Sequence, residues 1–362
     1  MANRYWVGGT AAWDATAGTK WALTSGGAGG QAVPTTADDV FFNAASGAGT
    51  VTVATALPVK SARSLNFTGF TGTFVQSGAT INVAGNAIFS SSMTYTINAT
   101  SVMTIVADST ISANGKSLPN MNVAMGGSAV SGLLTFTDTT LNLVGGISIS
   151  NAQAQLNNKT LNVGRYFLMG AGISGKYINL NSSTMTLNVG LVPVNSNLEY
   201  RSTNVAVGGF TVDLTNFVLN LSSGYKYTVI SNVSSWAIPT LNVGNDAVVI
   251  LPGSSVGRLH VTNLNLGSNV NIFGIARTIN VATINTTSAN LSTMSYIGAY
   301  VQSGVSITVN CPSGNVVLRN MIIKDVTFTG GATFTAVDSF VIGTTPGLSD
   351  ITYPSSIKYS SI

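Results

Sequence analysis

Charged side chains are scarce in this sequence. Only 7% of its 362 residues are Asp, Glu, Lys or Arg, against about 25% in an ordinary globular protein. The net charge of +4 rests on 15 basic residues spread along the chain, whereas nucleic-acid binding needs a basic face or stripe. The composition therefore argues against a nucleic-acid partner and predicts a surface of hydroxyl and amide groups.

Thiols, imidazoles and long apolar runs are equally scarce. Cys311 is the only cysteine and His260 the only histidine, so neither an internal disulfide nor a zinc site is expected, and we predict no cofactor. No run of about eighteen apolar residues predicts a membrane span. The opening "MANRYWVGG" has no charged segment followed by an apolar one, which leads us to expect synthesis in a cytoplasm without a secretory signal.

Helix patterns are also missing. Glu199 is the only glutamate, and several surface helices would need more residues of that kind. Short alternating runs such as "TVTVAT" and "TINVAG" occur instead, bounded by Gly, Asn and Ser. Such runs are typical of β-strands, so the chain is predicted to be all-β.

An internal repeat of the form apolar–Asn–apolar indicates which all-β fold. Five copies start at positions that differ by multiples of twenty: Ile81-Asn82-Val83, Met121-Asn122-Val123, Leu141-Asn142-Leu143, Leu161-Asn162-Val163 and Leu241-Asn242-Val243. Other copies, such as those that start at 65, 219 and 264, do not share this spacing. Alternate residues of a strand face opposite sides, so the apolar pair points inward and Asn outward. Stacked units of about twenty residues favour a parallel β-solenoid, with tandem β-sandwiches as the alternative.

The predicted organisation has three parts. Residues 1–57 form an N-terminal Trp-rich cap, residues 58–331 the solenoid repeat region with an interruption at 191–236, and residues 332–362 a C-terminal cap or tail. A solenoid exposes unpaired strand edges at its ends, which must be covered. We therefore expect Trp6, Trp13 and Trp21 to be buried in a structural cap together with Asp38 and Asp39. A sugar-binding platform of indoles is the alternative, and the two aspartates could otherwise bind Ca²⁺.

Motifs that could carry catalysis are weak. The phosphate-loop-like "GAGISGK" at 170–176 and the nucleophile-elbow-like "GSSVG" at 253–257 both precede strand-like sequence, where each motif needs a helix. Carboxylate pairs such as Asp325 with Asp338, or Glu199 with Asp213, could face each other across coils. They keep a polysaccharide-degrading spike open as an alternative. We predict a non-enzymatic protein without catalytic or metal-binding residues.

The first alternative function is a carbohydrate-binding adhesin at a cell surface, in which exposed Asn and aromatic side chains contact sugars; the polysaccharide-degrading spike is the second. The candidate glycan contacts are Tyr166, Tyr177, Tyr200, Tyr225 and Tyr227.

The first seventy residues resemble a known module. The pattern is W-x-G-G, W-D, a third W, P followed by A-D-D-V-F-F, and then S-L-x-F-x-G. The residues that match it are Trp6, Gly8, Gly9, Trp13, Asp14, Trp21, Pro34, Asp38, Asp39, Val40, Phe41, Leu65, Phe67 and Gly69. The module resembles one in structural proteins of tailed bacteriophages and is similar to the opening of autotransporter strand repeats. The missing secretory signal favours the phage proteins.

The resemblance implies a bacteriophage virion structural protein: a fibre, spike or decoration protein on the virion surface, made in the host cytoplasm. It would contact other virion proteins and serve assembly or host-surface attachment. Such proteins are often homo-oligomers, and a trimer is favoured. The resemblance implies no catalytic residues.

Overall fold

We describe the protein from a computed structural model. The described residues are 1–125, 132–149, 153–156, 159–164, 166–169, 185–189, 202–207, 217–221, 226–231, 235–246, 248–251, 258–267, 270–274, 278–286, 295–299, 307–310, 315–319, 321–331, 333–337, 340–342 and 346–351. The chain divides into two compact units. The first comprises Met1–Met185, Leu191–Asn197 and Gly209–Asp213, and the second comprises Thr186–Gly190, Leu198–Gly208 and Leu214–Ile362.

The described part of the first unit is built from short strands and one 3₁₀ helix, Ala44–Ser46. The strands are β1 Asn3–Trp6, β2 Ala11–Trp13, β3 Trp21–Ala22, β4 Asp39–Phe41, β5 Thr50–Val53, β6 Lys60–Ala62, β7 Ser64–Asn66, β8 Thr73–Val75, β9 Thr80–Val83, β10 Ala87–Ile88, β11 Thr94–Thr96, β12 Val102–Ile105, β13 Ser109–Ser112, β14 Ser117–Leu118, β15 Asn120–Val123, β16 Leu133–Phe136, β17 Thr140–Leu143, β18 Gly146–Ile149, β19 Gln153–Gln155, β20 Lys159–Val163 and β21 Tyr166–Met169.

These strands wind into a three-sided solenoid, in which one coil is one circuit of the chain. Sheet A has the order β19-β16-β13-β10-β7-β4-β1-β3, sheet B the order β11-β8-β5-β2, and sheet C includes β21-β18-β15-β12-β9-β6. From β14 onward, sheet D (β14-β17-β20) takes the place of sheet B between sheets A and C. The described pairs are parallel, except that β3 runs antiparallel to β1. The predicted parallel β-solenoid is confirmed, and parallel stacking rules out tandem antiparallel β-sandwiches.

Stacking in register begins at β1, within residues 1–57. β1 pairs with β4, and β4 pairs with β7. Side chains hydrogen-bonded between successive coils are 19 to 25 residues apart, for example Gln76 with Tyr95 and Ser112 with Thr137.

The second unit repeats the architecture with longer strands. After β22 Met185–Val189, the strands are β23 Ser202–Val207, β24 Phe217–Leu221, β25 Lys226–Ser231, β26 Ser235–Val243, β27 Val248–Leu251, β28 Arg258–Leu266, β29 Asn271–Gly274, β30 Thr278–Thr286, β31 Ser295–Ala299, β32 Ile307–Asn310, β33 Asn315–Arg319, β34 Met321–Lys324, β35 Val326–Thr329, β36 Thr333–Val337, β37 Phe340–Ile342 and β38 Leu348–Ile351. Two parallel sheets have the orders β37-β34-β31-β29-β27-β25-β23 and β24-β26-β28-β30-β32-β35. A third sheet, β33-β36-β38, joins them near the end of the chain.

The apolar–Asn–apolar copies lie where the pattern predicts within each strand. Leu141 and Leu143 are buried and Asn142 is half-buried; the copies at 81, 161, 241 and 264 show the same alternation. The shared spacing of twenty residues does not mean, however, that these copies occupy the same side of the coil. The copies at 81 and 121 lie in sheet C, whereas those at 141 and 161 lie in sheet D.

The core of the first unit contains a column of stacked phenyl rings. Phe42 stacks on Phe67 with centroids 4.8 Å apart and planes 8° from parallel, and Phe67 stacks on Phe89 at 5.4 Å and 11°. Each ring comes from the residue that follows a strand of sheet A, one ring per coil. Because the coils stack in register, the same type of side chain occupies the same position in successive coils.

Candidate functional site

A groove of about 470 Å³ lies on the outer face of sheet A in the first unit. Its lining comes from four consecutive coils: Asp39, Phe41, Arg63, Ser64, Leu65, Asn66, Ala84, Gly85, Asn86, Ile88 and Asp108. The volume falls in the range of roughly 300–1,000 Å³ that is usual for small-ligand sites. We call this feature the sheet A groove.

Three residues that are aligned on neighbouring strands form the floor and the two ends of the groove. Phe41, Asn66 and Ile88 are paired in line on β4, β7 and β10. Their neighbours on either side in the sequence are buried, so these three side chains face outward. Adjacent strands are about 4.8 Å apart, which puts Phe41 and Ile88 roughly 10 Å apart across the shorter Asn66. A gap therefore opens between two bulky apolar side chains.

Phe41 is held by a second aromatic ring. Tyr5 on β1 stacks against it with centroids 4.6 Å apart and planes 14° from parallel. Because β4 lies between β1 and β7, Tyr5 covers the ring face turned away from the groove. The opposite face of Phe41 is left as an end wall of the groove.

Charged groups line one side of the groove. The Asp39 carboxylate accepts hydrogen bonds from Arg63 Nη2 and Ser64 Oγ, and Asp108 Oδ1 accepts from the Leu133 amide at 2.9 Å. Arg63 Nε is buried and has no acceptor among the described residues. A Cβ at Gly85 would lie 2.9 Å from the Arg63 carbonyl oxygen, so glycine lets the two coils approach here. Two carboxylates against one guanidinium leave the lining with one excess negative charge.

Two amides complete the polar lining. Asn66 Oδ1 accepts from the Thr68 amide at 2.9 Å, and Asn86 Oδ1 accepts from the Thr110 amide at 2.9 Å. These bonds fix the orientation of both side chains and use their oxygens. The groove therefore presents fixed NH₂ donors beside carboxylate acceptors.

The three tryptophans predicted to be buried are fully buried. Trp21 packs edge-on against Trp6 and Trp13, with centroids 5.1 and 5.4 Å apart, and all three rings contact Phe42 at the end of the phenyl column. Trp6 Nε1 donates to the Gly9 carbonyl at 3.0 Å, whereas Trp13 Nε1 has no acceptor among the described residues. Buried indoles present no open face for stacking a sugar, and this counts against the platform alternative.

Asp38 and Asp39 point to different places. Asp38 is buried and accepts from the amide and hydroxyl of Thr35 at 3.0 and 2.9 Å, closing a turn. Burial opposes its ionisation, but these hydrogen bonds outweigh that effect and hold the pKa of Asp38 below its usual value. Asp39 belongs to the groove. The sequence analysis placed both residues in the structural cap and did not predict that Asp39 lines a groove.

The predicted glycan tyrosines do not form a described site. Tyr166 lies on β21 opposite Gly146, and Tyr227 lies on β25 opposite Thr203 and Val249. Tyr177, Tyr200 and Tyr225 lie outside the described residues.

The catalytic candidates lie only partly within the described residues. His260 lies within β28, so the sequence after "GSSVG" is a strand, as predicted. Asp325 follows β34 in a left-handed backbone conformation, and Glu199, Asp213 and Asp338 lie outside the described residues. No group of three or more metal-ligating side chains occurs among the residues that the structure describes. Within that part of the chain, no helix is long and apolar enough to cross a membrane.

No family model, curated protein or solved structure matches this chain. The phage resemblance of the N-terminal module therefore stays a prediction.

Proposed function

We propose that the protein is a non-enzymatic structural protein exposed on a bacteriophage particle, as a fibre, spike or decoration protein. The observation that supports this most strongly is the construction of the first unit. It is a stacked solenoid whose outer faces carry hydroxyl and amide side chains and whose first coil is covered by aromatic rings. A solenoid of this kind suits a rigid element on the surface of a particle. The W-x-G-G module supports a phage particle in particular, because it resembles a module of phage structural proteins.

In this proposal the tryptophan cluster caps the solenoid. β3 covers the outer edge of β1 by antiparallel pairing, and the indoles of Trp6, Trp13 and Trp21 cover Phe42. Such covering prevents end-to-end strand pairing between copies. Contacts with other virion proteins, and homo-oligomer formation with a trimer favoured, then use other surfaces.

The experiment is detection of the protein in particles. Antibodies raised against the purified protein should label intact particles from the phage that encodes it, and the purified protein should form a defined homo-oligomer by light scattering. A monomeric protein that is absent from purified particles would contradict the proposal.

A second candidate function is carbohydrate binding at a cell surface. The sheet A groove favours it, because the groove combines an aromatic wall with hydrogen-bonding side chains held in fixed orientations. Attachment to a host surface would unite the two candidates.

A further inference from the structure

We propose that the sheet A groove binds a neutral saccharide unit, by ring stacking on Phe41 and hydrogen bonds to Asn66, Asn86 and Asp108. The described residues that line this groove are different from the tyrosines predicted as glycan contacts. The inference does not depend on a virion location, because it concerns the ligand and not the particle.

The shape of the groove suits a flat ring with apolar faces. Phe41 and Ile88 form opposite ends roughly 10 Å apart, enough for one six-membered ring in van der Waals contact with both. The negative face of a phenyl ring attracts the weakly positive C–H groups of a sugar ring. Tyr5 backs Phe41 on its other side, so the wall is rigid before the ligand arrives.

The polar groups suit hydroxyls. A hydroxyl both donates and accepts, and the groove offers both partners side by side. The carboxylate of Asp108 has one oxygen engaged by the Leu133 amide; its second oxygen has no partner among the described residues and could accept from a ligand O–H. The amide oxygens of Asn66 and Asn86 are engaged by Thr68 and Thr110; their NH₂ groups have no acceptor among the described residues and could donate to ligand oxygens.

The charge of the groove selects against anionic ligands. Arg63, the cation in the described lining, is already paired with Asp39, and Asp108 adds a negative charge that has no ion-pair partner among the described residues. Phosphate, a uronic acid or a nucleic-acid backbone would meet net repulsion. A divalent cation is disfavoured for a different reason, since the described lining brings together fewer than three His, Cys, Asp or Glu side chains. A neutral polyol is the class that fits both the shape and the charge.

The main test fills the groove while keeping the strand. Asn66→Tyr places a large ring between Phe41 and Ile88. The matched control is Asn82→Tyr, which changes the outward Asn of the same apolar–Asn–apolar motif in sheet C, away from the groove. The probe is a glycan array carrying neutral and acidic oligosaccharides, and thermal unfolding confirms that each variant is folded.

We expect the full-length protein to bind neutral oligosaccharides. Asn66→Tyr should abolish that binding and Asn82→Tyr should retain it. A blank array with folded protein, binding confined to acidic glycans, or equal binding by Asn66→Tyr and the wild type would each overturn the proposal.

A second variant tests the carboxylate without changing volume. Asp108→Asn keeps the oxygen that accepts from Leu133 but removes the charge and one acceptor. Affinity for the neutral glycan that binds the array should fall roughly tenfold, which is typical of losing one hydrogen bond to a charged group. Asp138→Asn is the control, since Asp138 holds the Ala113 amide in the same way but lies outside the groove. Unchanged affinity for Asp108→Asn would overturn the assignment of this residue, whatever particle experiments show.

Discussion

Single polar side chains inside the first unit are positioned by hydrogen bonds that link successive coils. Gln76 is fully buried, and its Nε2 donates to the Ala79 and Val102 carbonyls at 3.1 and 2.8 Å. Its Oε1 accepts from the Tyr95 hydroxyl. Burial raises the pKa of Tyr95 far above its usual value, so the phenol remains a donor. A buried polar group costs little only while its partners are present.

Removing the Tyr95 hydroxyl should therefore destabilise the fold more than the loss of one oxygen atom would suggest. Tyr95→Phe leaves Gln76 Oε1 without its donor and should lower the free energy of unfolding by about 1–3 kcal/mol. Tyr5→Phe is the control, because it keeps the ring stacked on Phe41 and should change stability by less than about 0.5 kcal/mol. Urea denaturation measures both, and equal effects would show that the Tyr95–Gln76 bond contributes nothing.

Asp38 should make the stability of the first unit depend on acid pH. Its pKa in the folded protein lies below the unfolded value of 3.8, so the folded state favours the ionised form. The stability that this gives is fully present above the unfolded pKa and is lost as pH falls through the folded pKa.

The measurement is urea denaturation from about pH 6 to about pH 3. Asp38→Asn should flatten the acid decline. Thr35→Val removes one of the two donors, the hydroxyl at 2.9 Å, and should flatten it partly. An acid decline that is identical in all three proteins would refute the role of Asp38.

At the scale of strands, stacking in register turns single residues into columns. Asn162 Nδ2 donates to Asn142 Oδ1 at 2.7 Å, and Asn265 Nδ2 donates to Asn242 Oδ1 at 2.6 Å. Like side chains repeat at one strand spacing, so an amide can donate to the coil before it, as in the amide ladders of other parallel stacks. The outward Asn of the repeat is thus part of the fold as well as of the surface.

Exchanging one amide for a carboxylate tests this column. Asn162→Asp sets an acceptor against Asn142 Oδ1 and should cost about 1 kcal/mol or more. Asn122→Asp is the control, because Asn122 is exposed and its neighbours in register are Thr104 and Ser148, whose hydroxyls can donate. The difference in thermal unfolding midpoint between the two variants measures how much the hydrogen bond between Asn142 and Asn162 stabilises the fold. Equal midpoints would show that this bond contributes nothing.

The inward and outward positions within strands were predictable, but the assignment of strands to sheets was not. Leu-Asn-Val fixes which residues face the core through the period of two. It does not say which side of the coil the strand occupies, because corner lengths vary. The copy at 121 therefore fell on a twenty-residue frame with the copy at 141 although they lie in different sheets.

The spacing of three phenylalanines is a better guide to which strands belong to sheet A. Phe42, Phe67 and Phe89 are followed by Asn43, Thr68 and Ser90, and each is preceded by a strand of sheet A. Aligning these three places Phe41, Asn66 and Ile88 at one position, which is the row that forms the groove. The groove was missed because its residues are up to 69 positions apart, from Asp39 to Asp108, and only the register brings them together.

For the molecule as a whole, the first coil is where association between copies must be controlled. Trp6 lies on β1 and packs on Trp21 of β3, the strand that covers the edge of β1. Trp6→Ala should lower the free energy of unfolding by about 3–5 kcal/mol through the cavity. It should also loosen β3 and expose a strand edge that pairs with other copies.

Phe67→Ala is the matched control, because Phe67 is equally buried but lies inside the column, between Phe42 and Phe89. Both variants should be destabilised, but only Trp6→Ala should form assemblies larger than the wild-type species by light scattering. If Trp6→Ala instead folds normally, keeps the wild-type assembly state and loses glycan binding, the tryptophan cluster is a binding platform and not a cap.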